Sequence, residues 1–113
     1  SLESISVGHN QLTGVLPNDY ATNKPKLKLL DLKYNRLVGT IPEFGGPTPF
    51  LTDLDLSNNQ FVGGIPTFLG SVTSLVRLYL SNNRLSGTIP AALSDRNLSE
   101  LEEIYLHGNV LTG

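Results

Sequence analysis

The chain has 113 residues, 39% of them apolar and 16% charged, and a formal net charge of −2. That balance fits one domain and argues against a broad phosphate-binding face, so nucleic acid is not an expected partner. Cysteine is absent, which excludes disulfides, cysteine-ligated zinc and thiol catalysis within this stretch, and no run approaches the ~18 apolar residues of a membrane span.

Along the chain one hydrophobic frame returns again and again. It first appears as Leu2, Ile5, Val7, Asn10, Leu12, Gly14, Leu16 and Pro17, then as Leu27, Leu30, Leu32, Asn35, Leu37, Gly39, Ile41 and Pro42. A third copy runs through Leu51, Leu54, Leu56, Asn59, Phe61, Gly63, Ile65 and Pro66, and a fourth through Leu75, Leu78, Leu80, Asn83, Leu85, Gly87, Ile89 and Pro90. A fifth, Leu101, Ile104, Leu106, Asn109, Leu111 and Gly113, is cut short. The asparagines Asn10, Asn35, Asn59, Asn83 and Asn109 recur at steps of 25, 24, 24 and 26 residues. A repeat of this length predicts a stacked solenoid, with repeats at about 2–26, 27–50, 51–74, 75–100 and a partial 101–113. The pattern is already running at the first residue and stops mid-frame, so the chain reads as a fragment of something longer, without terminal caps.

Each frame position has a physical reason. In Leu-x-Leu the period is two, which turns both leucines to one face and the residue between them outward. A single strand of this kind cannot bury its apolar face, whereas stacked copies build a parallel sheet over a continuous core. The asparagine follows the strand where the chain turns. Its amide both donates and accepts, so stacked copies can form an internal hydrogen-bonded row. The frame glycine allows backbone angles that a side chain would oppose, and the proline ends a second extended piece.

The return segments differ from one another. After Pro66, Phe68 or Leu69 and Val72 are inward candidates; after Pro90, Leu93 and Leu98 take that part. After Pro42 the segment carries Pro47 and Pro49, which disfavour a regular helix. Short helical turns or irregular coil are expected there. Asn97-Leu98-Ser99 forms an N-glycosylation sequon, making Asn97 a candidate acceptor if the chain is secreted.

The frame with its trailing Gly-x-Ile-Pro closely resembles the plant-type leucine-rich repeat, as in the ectodomains of receptor-like kinases and receptor-like proteins and in polygalacturonase inhibitors. The resemblance covers essentially the whole chain. It implies an α/β solenoid, a right-handed superhelix with a parallel sheet on its concave face and short turns or coil on its convex face. It also implies an extracellular or cell-surface setting and a concave face that binds protein or peptide partners, with wall polysaccharide as a second partner class. Two departures are the missing caps and the missing cysteines that accompany them.

Parallel strands in register stack their outward residues into columns about 4.8 Å apart. The central column reads Ser6, Asp31, Asp55, Tyr79, Tyr105, and beside it run Ser4, Leu29, Asp53, Arg77, Glu103. Further columns are Gly8, Lys33, Ser57, Ser81, His107 and His9, Tyr34, Asn58, Asn82, Gly108. Candidate contact residues are Asp31, Tyr34, Asp53, Asp55, Arg77, Tyr79, Tyr105 and His107. Tyr79 and Tyr105 lead, because adjacent outward aromatics offer a large contact area at small entropic cost, although they can equally stack on each other. Arg77 between Asp53 and Glu103 reads as a surface ion-pair row. Asp31, Asp53 and Asp55 could approach a carboxylate pair, but an open sheet has no pocket to shift a pKa or exclude water. His9 and His107 lie four strands apart, roughly 19 Å, too far to share a metal.

These features point to a non-catalytic recognition scaffold needing no cofactor and no metal. The competing classes are a structural surface or wall-layer subunit that assembles by its edges, and the ectodomain of a receptor kinase whose catalytic domain lies elsewhere. A periodic binder of ice or polysaccharide ranks below these, because Val15 and Gly64 interrupt the column expected to hold Thr40 and Thr88.

Overall fold

The computed structural model describes residues 4–16, 26–42, 50–93, 98 and 100–112. Asn97, the candidate glycosylation site, lies outside the described residues, as do Pro47 and Pro49.

The Leu-x-Leu segments form β1 (Ser4–Ser6), β3 (Leu29–Asp31), β5 (Asp53–Asp55), β7 (Arg77–Tyr79) and β9 (Glu103–Tyr105). They pair in parallel in the order β1-β3-β5-β7-β9. The register carries Ser6 against Asp31, Asp31 against Asp55, Asp55 against Tyr79 and Tyr79 against Tyr105, which is the central column read from the sequence. Period-two alternation puts Leu30, Leu54 and Leu78 in the interior with no exposed surface.

The second extended pieces also pair, which the frame alone did not disclose. They are β2 (Thr13–Val15), β4 (Arg36–Thr40), β6 (Gln60–Gly63), β8 (Arg84–Gly87) and β10 (Val110–Leu111), forming a second parallel sheet in chain order. Its ladder is staggered. Gly39 lies opposite Phe61 and Thr40 opposite Val62, so equivalent frame positions are offset by two residues. The column expected to hold Thr40 and Thr88 with Val15 and Gly64 therefore does not form. Frame glycines Gly39 and Gly63 adopt φ of 82° and 80°, and a methyl group on Gly63 would meet the Thr40 side chain at 3.0 Å.

Between the sheets and the return segments lies the core: three tiers of leucine with Phe61, all fully buried, closed by Leu69, Val72, Leu93 and Leu98. Among the described residues the returns include the short 3-10 turns η1 (Thr67–Ser71) and η2 (Ala91–Leu93). Among the described residues there is no α-helix.

The asparagine row stitches one coil to the next. Asn59 Nδ2 donates to its own turn at Leu56 O (3.2 Å) and to the preceding coil at Leu32 O (3.0 Å), while its Oδ1 accepts from Leu37 N at 3.1 Å. Asn83 repeats the pattern with Leu80 O, Leu56 O and Phe61 N. Asn35 and Asn109 do the same one coil before and after. Among the described residues Asn10 bonds only locally, to Val7 O and Gly8 O, and is exposed. Because an orphaned buried group costs about 1–3 kcal/mol, this row fixes the turn that ends each strand and hence the spacing of the columns outside it.

Candidate recognition groove

Two side-chain habits shape the outward face. In the central column the carboxylates serve their own strand ends. Asp31 Oδ1 accepts from Lys33 N at 3.1 Å, and Asp55 Oδ1 accepts from both Ser57 N and Ser57 Oγ, at 3.0 and 2.6 Å. The Lys33 ammonium lies 3.4 Å from Asp31 and 3.9 Å from Asp55. These two acids thus hold a turn and a cation, and neither stands free as a catalytic pair.

The neighbouring column is a chain of charges. Arg77 Nη1 donates to Asp53 at 3.2 Å, and its Nε lies 3.9 Å from Glu103. The bond to Asp53 is the main reason its guanidinium is held above its ordinary pKa. Tyr79 Oη donates to Glu103 Oε2. That bond, followed by burial and the Glu103 charge, pushes the Tyr79 phenol up to about 12, so it stays protonated at neutral pH. Tyr79 is a ring set in place by its neighbour.

Aromatic rings gather at both ends of the sheet. Tyr79 and Tyr105 stack with centroids 5.0 Å apart and planes 18° from parallel, and His107 lies 6.3 Å from Tyr105 at 54°. Ser81 Oγ and His107 Nδ1 share a 3.2 Å hydrogen bond. On the first two coils His9 and Tyr34 stack at 4.5 Å and 15°. The two tyrosines therefore do stack, yet Tyr105 remains 48% exposed.

A shallow groove of ≈ 460 Å³ runs across the strands and joins these groups. Of the residues singled out from sequence, Tyr34, Asp55, Tyr79, Tyr105 and His107 line it; Asp31, Asp53 and Arg77 are not among its lining residues. Asn58, Asn82, Lys33 and His9 line it as well, though the sequence had not singled them out as contacts. The missed signal was the position just before the frame asparagine. There His9, Tyr34, Asn58 and Asn82 adopt positive φ of 55–58°, a conformation that tips a side chain away from the strand alternation and that, glycine aside, asparagine tolerates well. No group of three or more His, Asp or Glu able to hold a metal occurs among the described residues.

Comparison with known proteins gives a consistent result. A family model described as leucine rich repeat matches residues 49–111, and a second of the same description matches 1–22 and 26–46. A 44-residue stretch, 39% of this chain and 4% of the relative, is 48% identical to receptor-like protein kinase 7 of Arabidopsis thaliana. Among solved structures, the BIR3–SERK2 complex of Arabidopsis thaliana includes a chain 39% identical, with a TM-score of 0.88 over 96% of this chain and 57% of that one. The Arabidopsis receptor kinase HAESA, solved with the peptide hormone IDA and the co-receptor SERK1, is 35% identical with a TM-score of 0.87, over 99% of this chain and 18% of that one. The chain thus spans a small part of the first relative and little more than half of the first structure. The model match over residues 49–111 and the similarity to plant receptor ectodomains along nearly the whole chain show that it belongs to the plant-type leucine-rich repeat family.

Proposed function

We propose that the chain is a non-catalytic recognition segment of a cell-surface receptor-like protein, binding a peptide or an extended protein segment on its concave sheet. The observation that carries this reading is the groove itself, where exposed rings converge on a rigid sheet while nearby carboxylates are occupied in ion pairs and turns. An open face with its acids so engaged offers no free carboxylate base and no exclusion of water, which disfavours carboxylate-driven hydrolysis. Similarity to HAESA, solved with a peptide hormone and a co-receptor, favours a peptide partner. Among the described residues no helix is long and apolar enough to cross a membrane.

The test is selection of random twelve-residue peptides displayed on phage against the folded chain. Binding of the best synthesised peptide is then measured on a variant carrying Tyr79→Ala and Tyr105→Ala. Loss of at least about tenfold in affinity with unchanged circular dichroism is expected, since buried aromatic anchors contribute 2 kcal/mol or more at interfaces. Full affinity in that variant would move the contact surface away from the groove.

A further inference from the structure

Tyrosine is the most readily oxidised residue type in this chain, because cysteine, methionine and tryptophan are all absent. An electron taken from the protein therefore comes from a phenol. Of the four tyrosines, Tyr20 lies outside the described residues, and Tyr34 stacks on His9. Tyr34 also stands two strand steps before Tyr79, roughly 10 Å away along the stacking direction. Among the described residues, Tyr79 and Tyr105 are the tyrosines in contact. They lie opposite each other on β7 and β9, with ring centroids 5.0 Å apart and planes 18° from parallel.

The two phenols have different surroundings. Tyr79 Oη donates to Glu103 Oε2, and Arg77 Nε lies 3.9 Å from Oε1 of the same carboxylate. A phenol gives up an electron readily only when its proton leaves as well, and a hydrogen-bonded carboxylate takes that proton in place. Tyr105 is 48% exposed, and its hydroxyl has no partner among the described residues. It is open to an oxidant, passes its proton to water and is free to tilt toward Tyr79. In a phenoxyl radical the unpaired electron is shared by the oxygen and the ortho and para ring carbons. The para carbon carries Cβ, so an ortho carbon makes the new bond.

We propose that Tyr79 and Tyr105 form an oxidative modification site, at which hydrogen peroxide and a haem peroxidase join the two rings in a dityrosine bridge. Each phenol loses one electron to the peroxidase and one proton, Tyr79 to Glu103 and Tyr105 to water. A carbon–carbon bond forms between one ortho carbon of each ring. Each ortho hydrogen then moves through water to the phenolic oxygen, which restores both phenols. Peroxide takes up the two electrons and two protons and becomes two waters, so the chain loses two hydrogens. The bridge ties the fourth coil to the fifth and fuses two rings that line the groove. This chemistry is independent of what the groove binds.

The experiment treats the folded chain with a haem peroxidase and limiting hydrogen peroxide, then separates monomer from cross-linked multimers. The monomer is expected to lose two hydrogens in mass and to gain dityrosine fluorescence. Trypsin, which cuts after Arg84 and Arg96, should release one linked pair of peptides carrying Tyr79 and Tyr105. Tyr79→Phe and Tyr105→Phe should each abolish this intrachain product, whereas Tyr34→Phe should leave it unchanged. Glu103→Gln keeps a hydrogen-bond acceptor beside Tyr79 but cannot take its proton, so the bridge should form about tenfold more slowly or worse. Peptide mapping of the unsubstituted chain stands whatever the variants do to folding. Fluorescence confined to multimers, or intrachain bridges that involve Tyr20 or Tyr34 as often as the Tyr79–Tyr105 pair, would overturn the proposal. An unchanged rate in Glu103→Gln would overturn the role given to Glu103.

Discussion

Asn58 and Asn59 are neighbours in sequence and identical in chemistry, yet they do opposite things. The Asn59 carboxamide is buried and bonded to two coils. The Asn58 carboxamide lies in the groove with no partner among the described residues. Asn82 and Asn83 repeat the contrast one coil later. Position in the coil decides the role: one asparagine ends the strand facing inward, and the other, at positive φ, is turned out. The inner row holds the scaffold, and the outer row is free to meet something else.

The contrast is sharpest for Asn59→Ala. It orphans the buried Leu37 N–H and takes one of two amide donors from Leu32 O and Leu56 O, which keep Asn35 and Asn83, so denaturant unfolding should show a loss of about 2–4 kcal/mol. Asn10→Ala probes the same frame position on the first coil, where the bonds among the described residues are two and local and the side chain is exposed. There the same assay should register less than about 1 kcal/mol. Comparable losses at both sites would mean that stitching between coils adds nothing beyond the local turn.

Substituting the outer row should barely affect folding. Asn58→Gly with Asn82→Gly keeps the left-handed angle at both positions and should stay within about 1 kcal/mol of the original stability, measured in the same way.

The subtlest prediction concerns Tyr79. Its folded pKa of about 12 lies above the ordinary 10.0, so the fold favours the neutral phenol. That contribution to stability is complete below pH ~10 and fades as pH rises through the folded value near 12. Ultraviolet titration should show late ionisation of Tyr79, and Glu103→Ala should move it back toward 10.0, because the Glu103 hydrogen bond is the main cause of the shift. A late tyrosine that persists in Glu103→Ala would show that burial, not the bond, governs the shift.

Much of this architecture was legible because it is periodic. The asparagine spacing and the Leu-x-Leu alternation were enough to place every central-column residue beside its observed neighbour, from Ser6 through Asp31, Asp55 and Tyr79 to Tyr105. The second sheet was less legible. Its two-residue stagger arises from pairing between coils that the frame, read as equal positions, does not encode. The groove was only half legible. Tyr79 and Tyr105 stand out as aromatics, whereas Asn58 and Asn82 look in sequence like more turn residues, because the frame position they share with His9 and Tyr34 repeats in backbone angle but not in residue type. Likewise the acids looked like a possible pair until Ser57 and Lys33 were seen to occupy them.

The division of labour between the two rows is tested most directly by proton exchange at the asparagine side chains, followed by nuclear magnetic resonance. The NH₂ protons of Asn35, Asn59 and Asn83 should exchange only through large-scale opening of the coils, orders of magnitude more slowly than those of Asn58 and Asn82, which should match a free carboxamide. Equal exchange in the two rows would contradict the account, whether both were slow or both fast.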